Sequence, residues 1–357
     1  MTFQRCSGII LHPTSLPGPD GIGDLGPEVF HWVDFLNQSG CRLWQILPLG
    51  PTGYGDSPYQ CFSAFAGNPY LISPLLLVED QLLETADFED RPNLPNDHVD
   101  YGPVIQWKIT LLDRAYETFR KLKKSTLKQE YANFCQAESK WLEDFALFMA
   151  IKESHGGVSW DKWPEGLRKR LPEALETFAK KYGNQIEKQK FRQFLFYRQW
   201  QEVKYYAHQK NIQIIGDIPI FVAYDSADAW SHPELFYLDE NGLPTCVAGV
   251  PPDYFSPTGQ LWGNPLYRWD VHKAQGYRWW IDRVRSVLKS VDIIRLDHFR
   301  GFAGYWEIPY GSPTAETGKW KPGPGKSVFE AIDAEFHQLP ILAEDLGEIT
   351  KDVIKLR

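Results

Sequence analysis

Residues 291–301 read Val-Asp-Ile-Ile-Arg-Leu-Asp-His-Phe-Arg-Gly, a β-branched run that ends in charged side chains. In a strand, positions two apart share a face, so Ile293, Arg295 and Asp297 point one way and Ile294 and Leu296 the other. An arginine and an aspartate on an inward face are costly unless they pair or serve a site. Residues 340–347, Pro-Ile-Leu-Ala-Glu-Asp-Leu-Gly, repeat the arrangement, with Leu342 and Glu344 on the inner face and Glu344 at the strand's end. Asp297 and Glu344 are 47 positions apart (344 − 297), enough for one βα unit and an enlarged loop, so they can stand at the mouths of neighbouring strands. Two carboxyls facing each other are what glycoside cleavage requires: one attacks the anomeric carbon and the other protonates the departing oxygen. Arg295 would keep Asp297 ionised, as a nucleophile must be, and a drier setting would raise the pKa of Glu344, as an acid needs. A structural Arg–Asp pair and a helix-capping Glu344–Asp345 pair are the alternatives on spacing alone.

Residues 214–222 add Asp217 at the end of a third such strand, or as a turn aspartate before Pro219. The stretch from Cys246 to Phe255, dense in Gly, Pro and aromatics, leads into Ser256–Pro265. It reads as a lid over the site or as a long connection. Gly21 to Gly26 fits G-x-G-x-x-G, but residues 12–20, with three prolines, separate it from the preceding strand. No acidic residue ends the next strand, so dinucleotide binding is rejected. No His/Cys/Asp cluster has metal-ligand spacing, and neither metal nor cofactor is implied.

The elements that must position these residues are short apolar runs, each followed by a polar, Gly/Pro-rich loop. Strands are expected at Ser7–Leu11, Leu43–Leu47, Ile212–Asp217, Val291–Asp297 and Ile341–Glu344. Helical patterns precede most of them, as at Pro27–Ser39, with Pro at its first turn and Gly40 beyond its end, and at Tyr277–Ser290. This alternation predicts parallel βα units and an α/β barrel. Five strands are fewer than the eight of a closed barrel, so the chain is read as a piece of one. Residues 75–211 read as a mainly helical insertion, with patterns at Val104–Lys124 and Lys128–Glu153. A last helix over about Gln185–Lys210 places Phe191, Phe194 and Leu195 on one face. The division is thus 1–74, the first two strands with their loops; 75–211, the insertion; and 212–357, strands three to five with the site loops.

Composition narrows the function. Hydrophobic residues at 43% and charged residues at 24% are ordinary for a globular chain and argue against disorder. A net charge of −8 with no basic run argues against nucleic acid and anionic membranes as partners. No apolar stretch approaches the ~20 residues that span a bilayer. Five scattered cysteines without a Cys-x-x-Cys pair read as reduced thiols, and a cytoplasmic location is expected. The 14 Trp, 17 Tyr and 21 Phe read as a large core or, where they cluster in loops rich in the 28 Gly and 26 Pro, as exposed rings that suit flat ligands with apolar faces such as sugars.

Several motifs together resemble the amylomaltase (4-α-glucanotransferase, disproportionating enzyme) family. They are residues 12–17 (HPTSLP), 21–26, 53–59 (GYGDSPY), 63–68 (SAFAGN), 216–221 (GDIPIF), 250–255 (VPPDYF), 260–265 (QLWGNP), 295–301 and 343–347 (AEDLG). The match runs through nearly the whole chain in order. The resemblance implies a (β/α)8 barrel of the α-amylase type and a retaining transfer between α-1,4-glucans such as malto-oligosaccharides, starch or glycogen-derived chains, with no cofactor. It makes Asp297 the nucleophile and Glu344 the acid/base, with Arg295 orienting the nucleophile and His298 touching the sugar beside the cleaved bond. It sets Tyr59, Asp217, Asp253, Tyr254, Gln260 and Trp262 along the glucan, and Tyr54 where glucan binds away from the catalytic centre. It also implies a third carboxylate on a seventh strand, beyond residue 357. A hydrolase of the same chemistry and an inactive glucan-binding fragment are the rival readings.

Overall fold

The structure, a computed structural model, describes residues 5–337, 340–346 and 349–357. The chain opens with β1 (Gly8–Ile10), α1 (Pro27–Gln38) and β2 (Leu43–Gln45). Helices α2 (Pro74–Glu79), α3 (Tyr101–Lys121), α4 (Thr126–Ser154), α5 (Glu165–Arg168) and α6 (Pro172–Gln209) follow. Then come β3 (Gln213–Pro219), α7 (Ala227–Ser231), β4 (Cys246–Val250), β5 (Gln260–Pro265), α8 (Trp269–Ala274) and α9 (Arg278–Ser290). The last elements are β6 (Ile293–Asp297), β7 (Gly304–Pro309), β8 (Lys319–Pro322), α10 (Lys326–Phe336), β9 (Ile341–Ala343) and α11 (Lys351–Leu356).

The five expected strands form one parallel sheet in the order β1-β2-β3-β6-β9. Helices α1, α6, α9 and α10 lead into β2, β3, β6 and β9 in turn, which is the α/β pattern read from the sequence. Local chemistry sets the helix ends. Pro27 opens α1, where its missing N–H costs nothing, and the Ser125 side chain caps α4 by accepting from the Lys128 N–H.

Two expectations need correction. Residues 246–265 are neither lid nor plain connection at both ends, because Cys246–Val250 and Gln260–Pro265 are strands. With β7 and β8 they make a second, antiparallel sheet ordered β5-β4-β7-β8. The short run Cys-Val-Ala-Gly is buried like a core strand, and its Gly/Pro-rich flanks hid it. Helix α6 begins at Pro172 and not near Gln185. Its polar first half continues into the apolar second half across a kink at Tyr182 (φ −115°, ψ 24°).

Helices α3 and α6 share a core with the parallel sheet. Trp107, Leu111, Phe191, Leu195 and Trp200 lie in the same buried cluster as Trp44, Ile214 and Leu296. Two buried amides on α6 fix the chain after β2. Gln193 accepts from the Gly67 N–H at 2.7 Å and donates to its carbonyl at 2.9 Å. Gln199 does the same to Ser73, at 2.7 and 3.1 Å. Gly67 must be glycine here, since an added Cβ would sit 1.9 Å from the Phe196 ring.

Candidate active site

Strand register brings the predicted charged residues together. In the β3–β6 pair Asp217 is opposite Arg295 and Pro219 opposite Asp297, and in the β6–β9 pair Leu342 is opposite Arg295. Continued one residue past Leu296 and Ala343, that register sets Glu344 beside Asp297. The Glu344 N–H donates to the Leu296 carbonyl at 3.1 Å, which carries the pairing to that position. Side chains in register on parallel strands point to the same face, so Asp217, Arg295, Asp297 and Glu344 converge.

One guanidinium meets all three carboxylates. Arg295 Nη1 lies 2.6 Å from Asp217 Oδ1 and 2.9 Å from Asp297 Oδ1, and Nη2 lies 3.5 Å from Glu344 Oε1. Burial opposes the Arg295 charge, but Asp217 and Asp297 outweigh it and hold the group above its ordinary value. Asp217 is sealed, its side chain 1% exposed, while that of Asp297 is 29% exposed. A ligand can therefore meet Asp297, whereas Asp217 acts from beneath. Burial pushes the Asp217 carboxyl up, against the pull of Arg295 and of the Tyr59 hydroxyl, which donates to Oδ2 at 2.8 Å. Burial also raises Glu344, with the Asp297 charge adding to it and the His298 N–H, which donates to Glu344 Oε2, opposing it.

His298 follows the strand in the left-handed conformation, φ 51°. That turn aims its N–H at Glu344 and sets its ring edge-on to Trp262, with centroids 4.9 Å apart. Burial lowers the imidazole to about 4, so the ring is neutral at neutral pH. Gly301 completes the turn, since a Cβ there would meet the Ile220 and His298 side chains at 2.7 and 3.1 Å.

The group opens into a cavity of about 260 Å³ whose walls include Tyr59, Phe221, Trp262, Asn264, Asp297 and His298. Gln260 reaches it through Trp262, whose Nε1 donates to Gln260 Oε1 at 3.0 Å. Asp253 and Tyr254 do not line it. Asp253 Oδ1 instead accepts from the Phe255 and Ser256 N–H groups at 2.9 and 2.7 Å, ordering the tip of the β4–β5 loop. Tyr254 on that tip is 96% exposed. Tyr54 opens the single turn Tyr54–Asp56, and its side chain lies outside what the structure describes.

Sequence reasoning did not single out the groups that hold the cavity wall after β3. Asn264 Nδ2 donates to the Val222 carbonyl at 2.8 Å, and the Tyr267 hydroxyl donates to the Ile220 carbonyl at 2.9 Å. Arg283, buried under Trp279 and Trp280, donates to the Pro219 and Ile220 carbonyls at 2.8 and 3.2 Å. Its signal was available: an arginine on the apolar stripe of α9, between Trp280 and Val284, must find buried acceptors. Chemically, the site offers one accessible carboxylate, a second carboxyl biased toward its protonated form, a cation between them and an aromatic wall.

Comparison with known proteins identifies the family and the fold. A family profile described as 4-alpha-glucanotransferase matches residues 11–357. The 4-alpha-glucanotransferase of Synechocystis sp. is 52% identical over 359 aligned residues, covering 100% of this chain and 71% of the relative. That of Thermus thermophilus is 51% identical over 357 residues, with 100% and 71% covered. Among solved structures, an amylomaltase from Streptococcus agalactiae in complex with acarbose superimposes with a TM-score of 0.95 at 44% identity, covering 99% of this chain and 71% of that one. The amylomaltase of Corynebacterium glutamicum, at 21% identity, TM-score 0.78 and 98% and 49% coverage, shares the fold.

Proposed function

The chain belongs to the 4-alpha-glucanotransferase family, whose reaction is transglycosylation between 1,4-alpha-glucans, and from that premise we propose a retaining double displacement centred on Asp297 and Glu344. Asp297 attacks the anomeric carbon while Glu344 gives its proton to the departing glucan oxygen. The leaving glucan carries that proton away and a covalent glucosyl-enzyme remains. Glu344, now a base, takes the proton of an acceptor's 4-hydroxyl, and the acceptor oxygen displaces Asp297. Two inversions retain the α configuration.

The observation that carries this reading is the register that sets Asp297 and Glu344 side by side on adjacent strands. Adjacent strands lie ~4.8 Å apart, so carboxyls in register start closer to the ~5–5.5 Å of retaining sites than to the ~6.5–9.5 Å of inverting ones. Further support comes from Glu344, whose carboxyl is raised by burial and the Asp297 charge in the direction a proton donor needs, and from the accessible Asp297. Arg295 orients Asp297. The neutral His298 and the face of Trp262 contact the sugar nearest the cleaved bond. Tyr59, held from beneath by Asp217, and Gln260 position its neighbours, the exposed Asp253–Tyr254 tip meets the glucan farther out, and Tyr54 belongs to a separate glucan contact.

Residues 75–211 are taken as a helical insertion mounted on the barrel, and malto-oligosaccharides and starch- or glycogen-derived chains as the substrates. Among the described residues no helix is long and apolar enough to cross a membrane. The scattered free cysteines suit a cytoplasmic location.

Transfer and hydrolysis separate in one assay. Chromatography of maltotriose after incubation gives glucose together with maltopentaose and longer chains if an acceptor glucan outcompetes water. Glucose and maltose with nothing longer than the substrate would contradict transfer.

A further inference from the structure

We propose that a cavity between α4 and α9, apart from the catalytic carboxylates and from the Tyr54 contact, is a further binding site for a short α-1,4-glucan; the choice of ligand rests on the substrate class read above. The cavity measures about 470 Å³, against about 260 Å³ for the one beside Asp297. The two share no lining residue.

Its composition selects the ligand. Phe65, Trp141 and Trp279 give it an aromatic wall. The Phe65 and Trp141 rings are stacked, 14° from parallel, and Phe65 stands edge-on to Trp279. Aromatic rings and polar side chains in one lining suit a ligand with an apolar face and a fringe of hydroxyls.

The rim argues against an ion. Four carboxylates (Glu138, Asp144, Asp228 and Asp282) face four basic side chains (Lys140, Arg278, Arg285 and Lys289), so the lining is formally balanced apart from His232. Most of these charges already have partners. Glu138 pairs with Lys289, Asp282 with Arg278 and Arg285, and Asp144 with Arg170 from outside the lining. An anion or cation entering would have to break such pairs. A neutral polyhydroxylated chain uses the remaining lone pairs and N–H groups without disturbing them.

Such a site would hold one part of a long glucan while another part reacts, raising the local concentration of substrate chains at the catalytic mouth. Short donors, unable to reach both places, would gain nothing.

The test is a calorimetric titration of Asp297→Asn protein with maltoheptaose, alone and combined with Ala137→Arg or Trp141→Leu. Ala137 is an exposed helical position on the cavity lining, so the longer side chain fills the opening without entering the core. Each second substitution is expected to remove one maltoheptaose per chain and leave the remaining affinity within about twofold, as for distant independent sites. In otherwise wild-type protein both substitutions raise KM for long amylose and leave maltotriose transfer within about twofold. An unchanged number of sites in both variants would overturn the proposal. Turnover of maltoheptaose by Asp297→Asn, read by chromatography of the same samples, would overturn the catalytic reading instead. The site counts with and without Ala137→Arg would still be compared, so the two readings fail separately.

Discussion

Arg295 gives the site its character, because one guanidinium must satisfy Asp217, Asp297 and Glu344 together. Removing it leaves Asp217, whose side chain is 1% exposed, without its cation. Breaking a buried pair from one side costs about 3–5 kcal/mol, so Arg295→Met is expected to lower stability in urea by that order, and Asp217→Asn added to it to recover part of the loss. A loss below about 1 kcal/mol, the ordinary effect of a point mutation, would contradict the pairing. Glu344 makes a pH prediction. Its carboxyl sits above its ordinary value because of burial and then the Asp297 charge, and the reaction needs its protonated form. Activity therefore falls as pH rises through that raised value, above the ~4.3 of an unperturbed glutamate. The alkaline limb of kcat/KM belongs to Glu344 and disappears from the residual activity of Glu344→Gln. Persistence of the same limb in that variant would assign it to another group.

At the scale of elements, the chain after β2 is aimed by α6. Tyr59 reaches Asp217 from a segment whose end is held where Gln193 grips both backbone groups of Gly67. Gln193→Leu would strand that N–H and C=O, each at about 1–3 kcal/mol. The expected outcome is a loss of that size in urea unfolding together with a fall in kcat/KM. Full activity at reduced stability would show that Tyr59 is placed independently of the latch. These elements were unevenly legible. Three of the five parallel strands, those expected at Ile212–Asp217, Val291–Asp297 and Ile341–Glu344, showed as apolar runs ending in Asp or Glu, and parallel pairing then determined which carboxylates met. The antiparallel sheet did not show, because Cys246–Val250 is short, includes a glycine and runs into Pro251 and Pro252. The kinked start of α6 was hidden by its polar face. Asn264, Tyr267 and Arg283 act through backbone carbonyls of residues 219–222, and a sequence does not disclose which carbonyls lack a partner.

At the scale of the molecule, helices α3 and α6, sharing a core with the parallel sheet, and a second sheet bearing Trp262 accompany a strand-end site of the kind α/β barrels carry. The chain aligns over its whole length with relatives of which it spans about seven-tenths. The central claim assigns two different jobs to two carboxyls that share one arginine, and an α-maltosyl fluoride donor separates them, since fluoride leaves without a proton. Mass spectrometry of protein mixed with that donor is the measurement that decides. Glu344→Gln is expected to gain the mass of a covalently held maltosyl group, because Asp297 still attacks and no base completes the transfer, while Asp297→Asn gains none. A covalent adduct on Asp297→Asn, or its absence from Glu344→Gln while fluoride is released, would contradict the assignment.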